Sequence, residues 1–275
     1  MLSNKTMMSS SITDKTYKKL VLQVSLNGLS FVVIDLLSGH ASHLKHLSFD
    51  HFQKSAKIED LFLDVFRENE VLKNHYDEIT IIHSNNLSTF VPTALFDEEF
   101  IGSYLQYNTK VFETDFFTFD ELTKYEMNSV YIPYVNMNNF FIDQLGAFEY
   151  KHSSTILVST LLDISKNNEE RKMFVHMSAS HFEIVVLQNQ KLHLYNSFEY
   201  TTPEDFIYYI LFTAEQLQLN PEYFKLELLG GIKEEDAYYQ IAFKYIRNVS
   251  LFKAPNDNPS LTEEENREHF ILLHS

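Results

Sequence analysis

The chain has 275 residues, 44% of them apolar, with 24 Phe, 16 Tyr and no cysteine. That content supports one large or two small globular domains and excludes disulfides, thiolate metal sites and cysteine nucleophiles. A formal charge of -16, with 22 scattered basic residues, argues against nucleic acid or a lipid surface as partner, because both are polyanionic and are held largely by lysine and arginine.

Met1 to Lys15 is polar and serine-rich without the apolar stretch of a signal peptide, and is read as a flexible tail. No run approaches the roughly 20 apolar residues that a membrane helix needs, so a soluble, cytoplasmic protein is the expectation. Leu20 to Leu26, Asn27-Gly28 and Leu29 to Leu37 form a hairpin signal, since Asn and Gly tolerate the positive φ of a tight turn. Ser38-Gly39 turns the chain into a less regular strand around His43 to Phe49. Ile58, Leu61, Phe62, Val65, Phe66 and Leu72 then line one helical face, with Glu59, Asp60, Asp64 and Glu68 opposite. Glu78 to His83 is predicted as a strand, Asp97 to Tyr107 as a helix with acids in its first turn, and Lys110 to Phe117 as a strand. The order is β-β-β-α-β-α-β.

Val130 to Val135 follows as a strand and Met137 to Leu145 as a helix ended by Gly146. Leu157, Leu161 and Ile164, beside Val158 and Leu162, give Thr155 to Ile164 a helical period and the place of a connector. The second half opens with strands at Met173 to Met177, Phe182 to Leu187 and Leu192 to Tyr195, joined by turns at Ser178-Ala179-Ser180 and Gln188-Asn189-Gln190. Thr202-Pro203-Glu204-Asp205 supplies a capping hydroxyl, a proline at the first helical position and acids in the first turn of a helix that Asn220-Pro221 stops. Phe224 to Leu229 returns as a strand ending on Gly230-Gly231, Glu234-Glu235-Asp236 opens a helix to about Arg247, and Val249 to Lys253 is a last strand. Thr262 with Glu265 caps a short terminal helix leading into Phe270-Ile271-Leu272-Leu273. The first long helix starts near 57 and again near 203, and the strand after it near 78 and again near 224, both about 146 residues apart. A repeated order at a steady offset predicts duplication of one α/β unit.

The run Asn196-Ser197-Phe198-Glu199-Tyr200, Thr202-Pro203-Glu204-Asp205-Phe206 and Tyr208-Tyr209, with Leu229-Gly230-Gly231 downstream, resembles an uncharacterised bacterial family, a domain of unknown function with an actin-like ATPase fold. In length and element order the likeness spans about residues 15 to 275. The doubled unit is similar to that of the actin, sugar kinase and Hsp70 superfamily. This resemblance implies an α/β protein with a duplicated ribonuclease H-like fold, two lobes each with a five-stranded mixed sheet and flanking helices. The tail would be 1–15, the N-terminal lobe 16–150, the connecting helix 151–170 and the C-terminal lobe 171–275.

Active members of that superfamily hold phosphates on the first hairpin of each lobe, with an aspartate and glycines, and receive adenosine on a Gly-Gly turn. Backbone N–H groups must approach the phosphates closely, and a carboxylate must organise the Mg²⁺ hydration shell. The matching positions here are Asn27, Gly28, Ser178, Ser180, Gly230 and Gly231. Ser25 to Ser30 holds one glycine and no acid, and His176 to His181 holds neither. Ordinary turns explain both hairpins more simply than phosphate loops, and a need for free φ explains Gly230-Gly231 more simply than an adenosine contact. The reading is a pseudoenzyme with no catalytic residue, no metal and no cofactor. The resemblance implies that it holds an unknown protein partner, as related cell-division and pilus-assembly proteins do. The alternative is a nucleotide switch or weak ATPase using ATP with magnesium in the interlobe cleft. A polynucleotide-processing enzyme ranks third, because its two-metal chemistry needs converging acids that neither hairpin offers.

Other candidates have plainer explanations. His40, His43, His46 and His51 do not converge on a metal when spaced along a strand or loop. Asp97-Glu98-Glu99 and Glu234-Glu235-Asp236 sit where helix dipoles favour negative charge. Ser84 has no partner that sequence places, and Tyr208 and Tyr209 read as core or lobe-interface aromatics.

Overall fold

The computed structural model describes residues 15–49, 57–112, 114–255 and 257–275. Except for Lys15, the expected tail lies outside the described residues. The Asn27 turn joins β1 (Lys18–Ser25) to β2 (Gly28–Asp35), and β3 (Ala41–Ser48) completes an antiparallel meander. After α1 (Ile58–Glu68) the chain adds β4 (Glu78–His83) parallel to β1. It then leaves this sheet for a second one, β5 (Ser88–Pro92), β6 (Thr118–Leu122) and β7 (Met127–Tyr131). It returns through α2 (Val135–Leu145) to β8 (Glu149–His152), parallel to β4, so the first sheet runs β3-β2-β1-β4-β8.

Beyond α3 (Ser153–Ile164) come β9 (Lys172–Met177), β10 (His181–Gln188), β11 (Lys191–Glu199), α4 (Pro203–Gln216), β12 (Lys225–Gly230), α5 (Ala237–Tyr245) and β13 (Asn248–Leu251). Their sheet runs β11-β10-β9-β12-β13, the same mixed order as the first. The chain closes on α6 (Glu263–Glu268) and α7 (Phe270–Leu273). Among the described residues no helix is long and apolar enough to cross a membrane.

The expected strand at Lys110 to Phe117 does not form in the described residues of that stretch. Val111 and Phe117 instead pack as irregular chain on a small core of Val91, Leu105 and Val130. The expected helix at 97–107 shrinks to a 3₁₀ turn, Glu98–Tyr104, that leaves helical geometry at Phe100. The strand placed at Val130 to Val135 is β7, which starts earlier, stops before Pro133 and belongs to the small sheet. The common order of the two large sheets therefore rests on α2 and β8 standing where α5 and β13 stand, with β5 to β7 inserted before them. Strand β8 went unread because Glu149-Tyr150-Lys151-His152 is short and polar, on a sheet edge where only one side needs a partner.

Alternation along the strands puts two apolar faces on each large sheet. Leu20, Leu22 and Phe31 pack outward against Phe62, Phe66 and Phe141 of α1 and α2. In the other sheet Met173, Ile184 and Leu228 pack outward against Phe206, Ile210 and Ala242 of α4 and α5. The inner faces, Val21, Val32 and Ile82 of one sheet and Phe174, Val185 and Leu229 of the other, share a core with α3 and α7. This layering puts the β1–β2 and β9–β10 turns at the mouth of one cleft.

The expected cap of α4 is a full capping box. Thr202 Oγ accepts from Asp205 N–H at 3.1 Å, and the Asp205 carboxylate accepts from Thr202 N–H at 3.0 Å. Thr202→Ala should cost about 1 kcal/mol, read as a lower urea midpoint at unchanged slope. An unmoved midpoint would show that the box adds nothing to stability.

Candidate functional site

Five of the six positions singled out above line one cleft of about 760 Å³. Asn27 and Gly28 come from the first hairpin, Ser178 and Ser180 from the second, and Gly231 from the turn after β12. Gly230 stands behind the wall. Its φ is +84°, and a Cβ there would lie 2.2 Å from the Met177 carbonyl oxygen, so close approach to β9 requires the glycine. Gly28 is required in the same way by β3, since its Cβ would meet Leu47 O at 2.4 Å. Gly231 alone opens freely into the cleft, where a Cβ would have only the Glu268 side chain within 4 Å.

The remaining walls are hydroxyl, amide, imidazole and aromatic, with apolar ground at Leu26, Met177, Ala179, Ile232 and Ala237. Ser25, Ser84, Asn85 and Asn86 face Tyr200 and Tyr238 across the space, with His46, His176, His181 and His269 around it. Its carboxylates are Asp236 and Glu268, and no lysine or arginine is among the lining residues described. Asp236 stands at the start of α5 without a side-chain bond to the helix, and accepts instead from Lys233 N–H at 2.8 Å.

Beneath the second hairpin lies a buried charge cluster that the sequence reading missed. Glu183 of β10 is directly opposite His176 of β9 in the antiparallel register and two residues from His181, so all three share the inward face of the sheet. His176 Nδ1–H donates to Glu183 Oε2 at 2.9 Å. His181 Nε2 lies 3.4 Å from Glu183 Oε1, close enough for an ion pair but off the line of a hydrogen bond, so both atoms are buried without a hydrogen-bond partner among the described residues. Burial alone would raise the Glu183 pKa, yet the charges of His181 and His176 hold it far below the usual carboxylate range. Burial works against a charged His181 as well, but the Glu183 carboxylate outweighs it and raises that pKa. The available signal was an acid inside the apolar run Phe182 to Leu187, at a position whose alternation calls for an inward side chain.

Two further histidines sit buried and neutral beside this cluster. His152 Nδ1 accepts from Ser154 N–H at 3.1 Å, while its Nε2–H donates to Asn85 Oδ1 at 3.1 Å. His83 Nδ1 accepts from Tyr134 N–H at 3.1 Å and its Nε2–H donates to Asn138 Oδ1 at 2.9 Å. Each ring therefore uses one nitrogen as acceptor, which only the neutral form can do. Burial pushes the His83 pKa down to about 4, and burial with the charge of His83 pushes His152 down to about 3.

The histidine run beyond β2 does not gather. His46 Nδ1 pairs with Ser30 Oγ at 2.8 Å, His43 is exposed in a left-handed conformation at a bulge in β3, His40 is exposed, and His51 lies outside the described residues. No group of three or more histidines and acids able to hold a metal occurs among the described residues. Asp97 caps the 3₁₀ turn by accepting from Glu99 N–H, and Ser84 Oγ accepts from Gln23 Nε2 at 3.4 Å. Tyr209 stacks on Phe198 with centroids 4.4 Å apart, whereas Tyr208 is exposed.

Residues 8–249 match a family described as Protein of unknown function (DUF3822). The chain belongs to the DUF3822 family. A protein from Bacteroides thetaiotaomicron VPI-5482, described as having an actin-like ATPase fold and unknown function, is similar to this DUF3822 chain with a TM-score of 0.81 at 23% identity, over 96% of this chain and 98% of that one. The fold of the DUF3822 chain is the actin-like ATPase fold. The PilM-PilN type IV pilus biogenesis complex contains a chain similar at a TM-score of 0.59 and 12% identity, over 93% and 96% of the two chains. No protein of curated function matches the DUF3822 chain.

Proposed function

We propose that this DUF3822 protein is a non-catalytic protein-binding or scaffolding module that keeps the actin-like frame without its nucleotide chemistry. The lining of the cleft carries this reading. Both hairpins present Ser25, Asn27, Ser178 and Ser180, and the nearby carboxylates Asp236 and Glu268 would repel a triphosphate, with no lysine or arginine among the described lining residues to offset them. Gly28 and Gly230 are required by the close approach of neighbouring strands, which accounts for both without a nucleotide. The PilM-PilN complex supplies a precedent for this fold beside a protein partner.

Thermal unfolding with and without millimolar Mg-ATP tests the reading. A ligand at 100 times its dissociation constant stabilises by about 2.7 kcal/mol, worth a few degrees in a chain of this size. No such rise is expected, and no phosphate release above a protein-free control. An ATP-specific rise of several degrees that Gly231→Leu abolishes would favour a nucleotide switch instead. Affinity capture from the source cells, followed by a stable complex between the two purified proteins, is the expected positive result.

A further inference from the structure

Five of the sixteen large apolar side chains exposed among the described residues lie on one short stretch, residues 95–116. They are Leu95, Phe100, Tyr107, Phe112 and Phe116, each more than half exposed. Four of them have a sequence neighbour that points the other way: Phe96, Ile101, Val111 and Phe117 pack on the core of Val91, Leu105 and Val130. The inward members account for the folding of this insert. The outward members do nothing for it, and exposed apolar side chains concentrated on one insert mark an interaction site.

Charge selects the occupant. Asp97, Glu98, Glu99 and Asp115 are interleaved with the exposed rings, and Lys110, 5.1 Å above the Phe112 ring, is the one base in the stretch. A second copy of this chain would bring the same acids and a net charge of -16 against itself, and an anionic lipid surface would be repelled likewise. We infer that Leu95, Phe100, Tyr107, Phe112 and Phe116, with Asp97, Glu98, Glu99 and Asp115, dock a lysine- or arginine-rich segment of a partner protein that places apolar anchors among these side chains. This rests on the protein-binding reading and names its surface. Aromatic anchors supply the affinity, and the acidic rim supplies choice of partner and speed of encounter.

The test uses the full chain and two fluorescent amphipathic peptides of about 18 residues, or five helical turns, one of leucine and lysine and one of leucine and glutamate. Anisotropy should show the lysine peptide binding at least about tenfold more tightly than the glutamate peptide, and less tightly as salt is raised. Phe100→Ser with Phe116→Ser should weaken the lysine peptide at least about tenfold, while Tyr208→Ser with Phe212→Ser, an exposed pair on α4, should leave it unchanged. Glu98→Lys with Glu99→Lys should narrow the preference without touching a ring. Equal binding of both peptides, no binding of either, or equal loss in both aromatic double variants would overturn the proposal. So would sedimentation showing a dimer that only the Phe100/Phe116 variant loses, since the occupant would then be a second copy. A Mg-ATP response would overturn the reading of the cleft and leave this surface standing, and a failed peptide assay would do the reverse.

Discussion

Glu183→Ala is expected to cost about 3–5 kcal/mol, seen as a large fall in the urea midpoint at neutral pH. The substitution removes the anion between His176 and His181 and leaves two buried imidazoles facing each other across a hole. A charged His181 then has no partner, and a neutral one has given up its stabilised form. Glu183→Gln keeps the shape and one acceptor, so it should fall between Ala and the native chain. Replacing Glu183, His176 and His181 together by leucine should cost less than Glu183→Ala alone, because no buried charge is stranded and the face becomes continuous with Val185 and Leu187. If Glu183→Ala left the midpoint in place, the three side chains would not be acting as a charge cluster.

Stability should fall steeply as the pH drops from 7 to 5. His83 and His152 have folded pKa values below the unfolded one, near 4 and near 3, so each contributes stability that is present above about pH 6.5 and is lost as the pH falls toward the folded value. By pH 5 each has given up about 2 kcal/mol, since a shift of one unit is worth about 1.36 kcal/mol and the unfolded chain has already taken up its proton. His193, His269 and His274 are also lowered by burial and add to the same slope. His181 runs the other way. Its raised pKa adds stability as the pH falls through the folded value, and that contribution is complete by about pH 6.5, so it opposes the loss above pH 6.5 and offsets none of the loss below it. The depressed Glu183 keeps its charge throughout this window. Urea midpoints at pH 7.5, 6 and 5 should decline in order, and His83→Gln should flatten the decline. A midpoint unchanged to pH 5 would mean that the two rings accept protons in place and that their acceptor bonds are not holding the fold.

Local sequence was enough wherever one short segment carries its own instruction. Asn27-Gly28 sets a turn, Thr202-Pro203-Glu204-Asp205 sets a helix start, Thr262 with Glu265 sets another, and the apolar alternation of residues 20–34 and 173–187 sets four strands that read correctly without any partner. The cleft was legible to the same extent, because the turns between those strands must lie at strand ends. Where the reading failed, at 97–117 and at β8, the deciding contact was distant. Val111 and Phe117 have the composition of a strand, but the place for a fifth strand beside β4 was taken by Glu149–His152, whose own residues say little.

Sequence by itself thus determined an α/β chain with a repeated order of elements, most of the strands and helices of the two large sheets, and the lack of an acid in either hairpin turn, since each follows from residue type and spacing along a few turns of chain. Only the tertiary structure decided that Gly28 and Gly230 serve strand contacts while Gly231 faces the cleft, because a missing side chain looks the same in sequence whether backbone or empty space lies beyond it. The same holds for Glu183. An acid in an apolar strand becomes a paired, buried charge only when register brings His176 opposite and folding closes water out, and neither register nor burial is written in the residue itself.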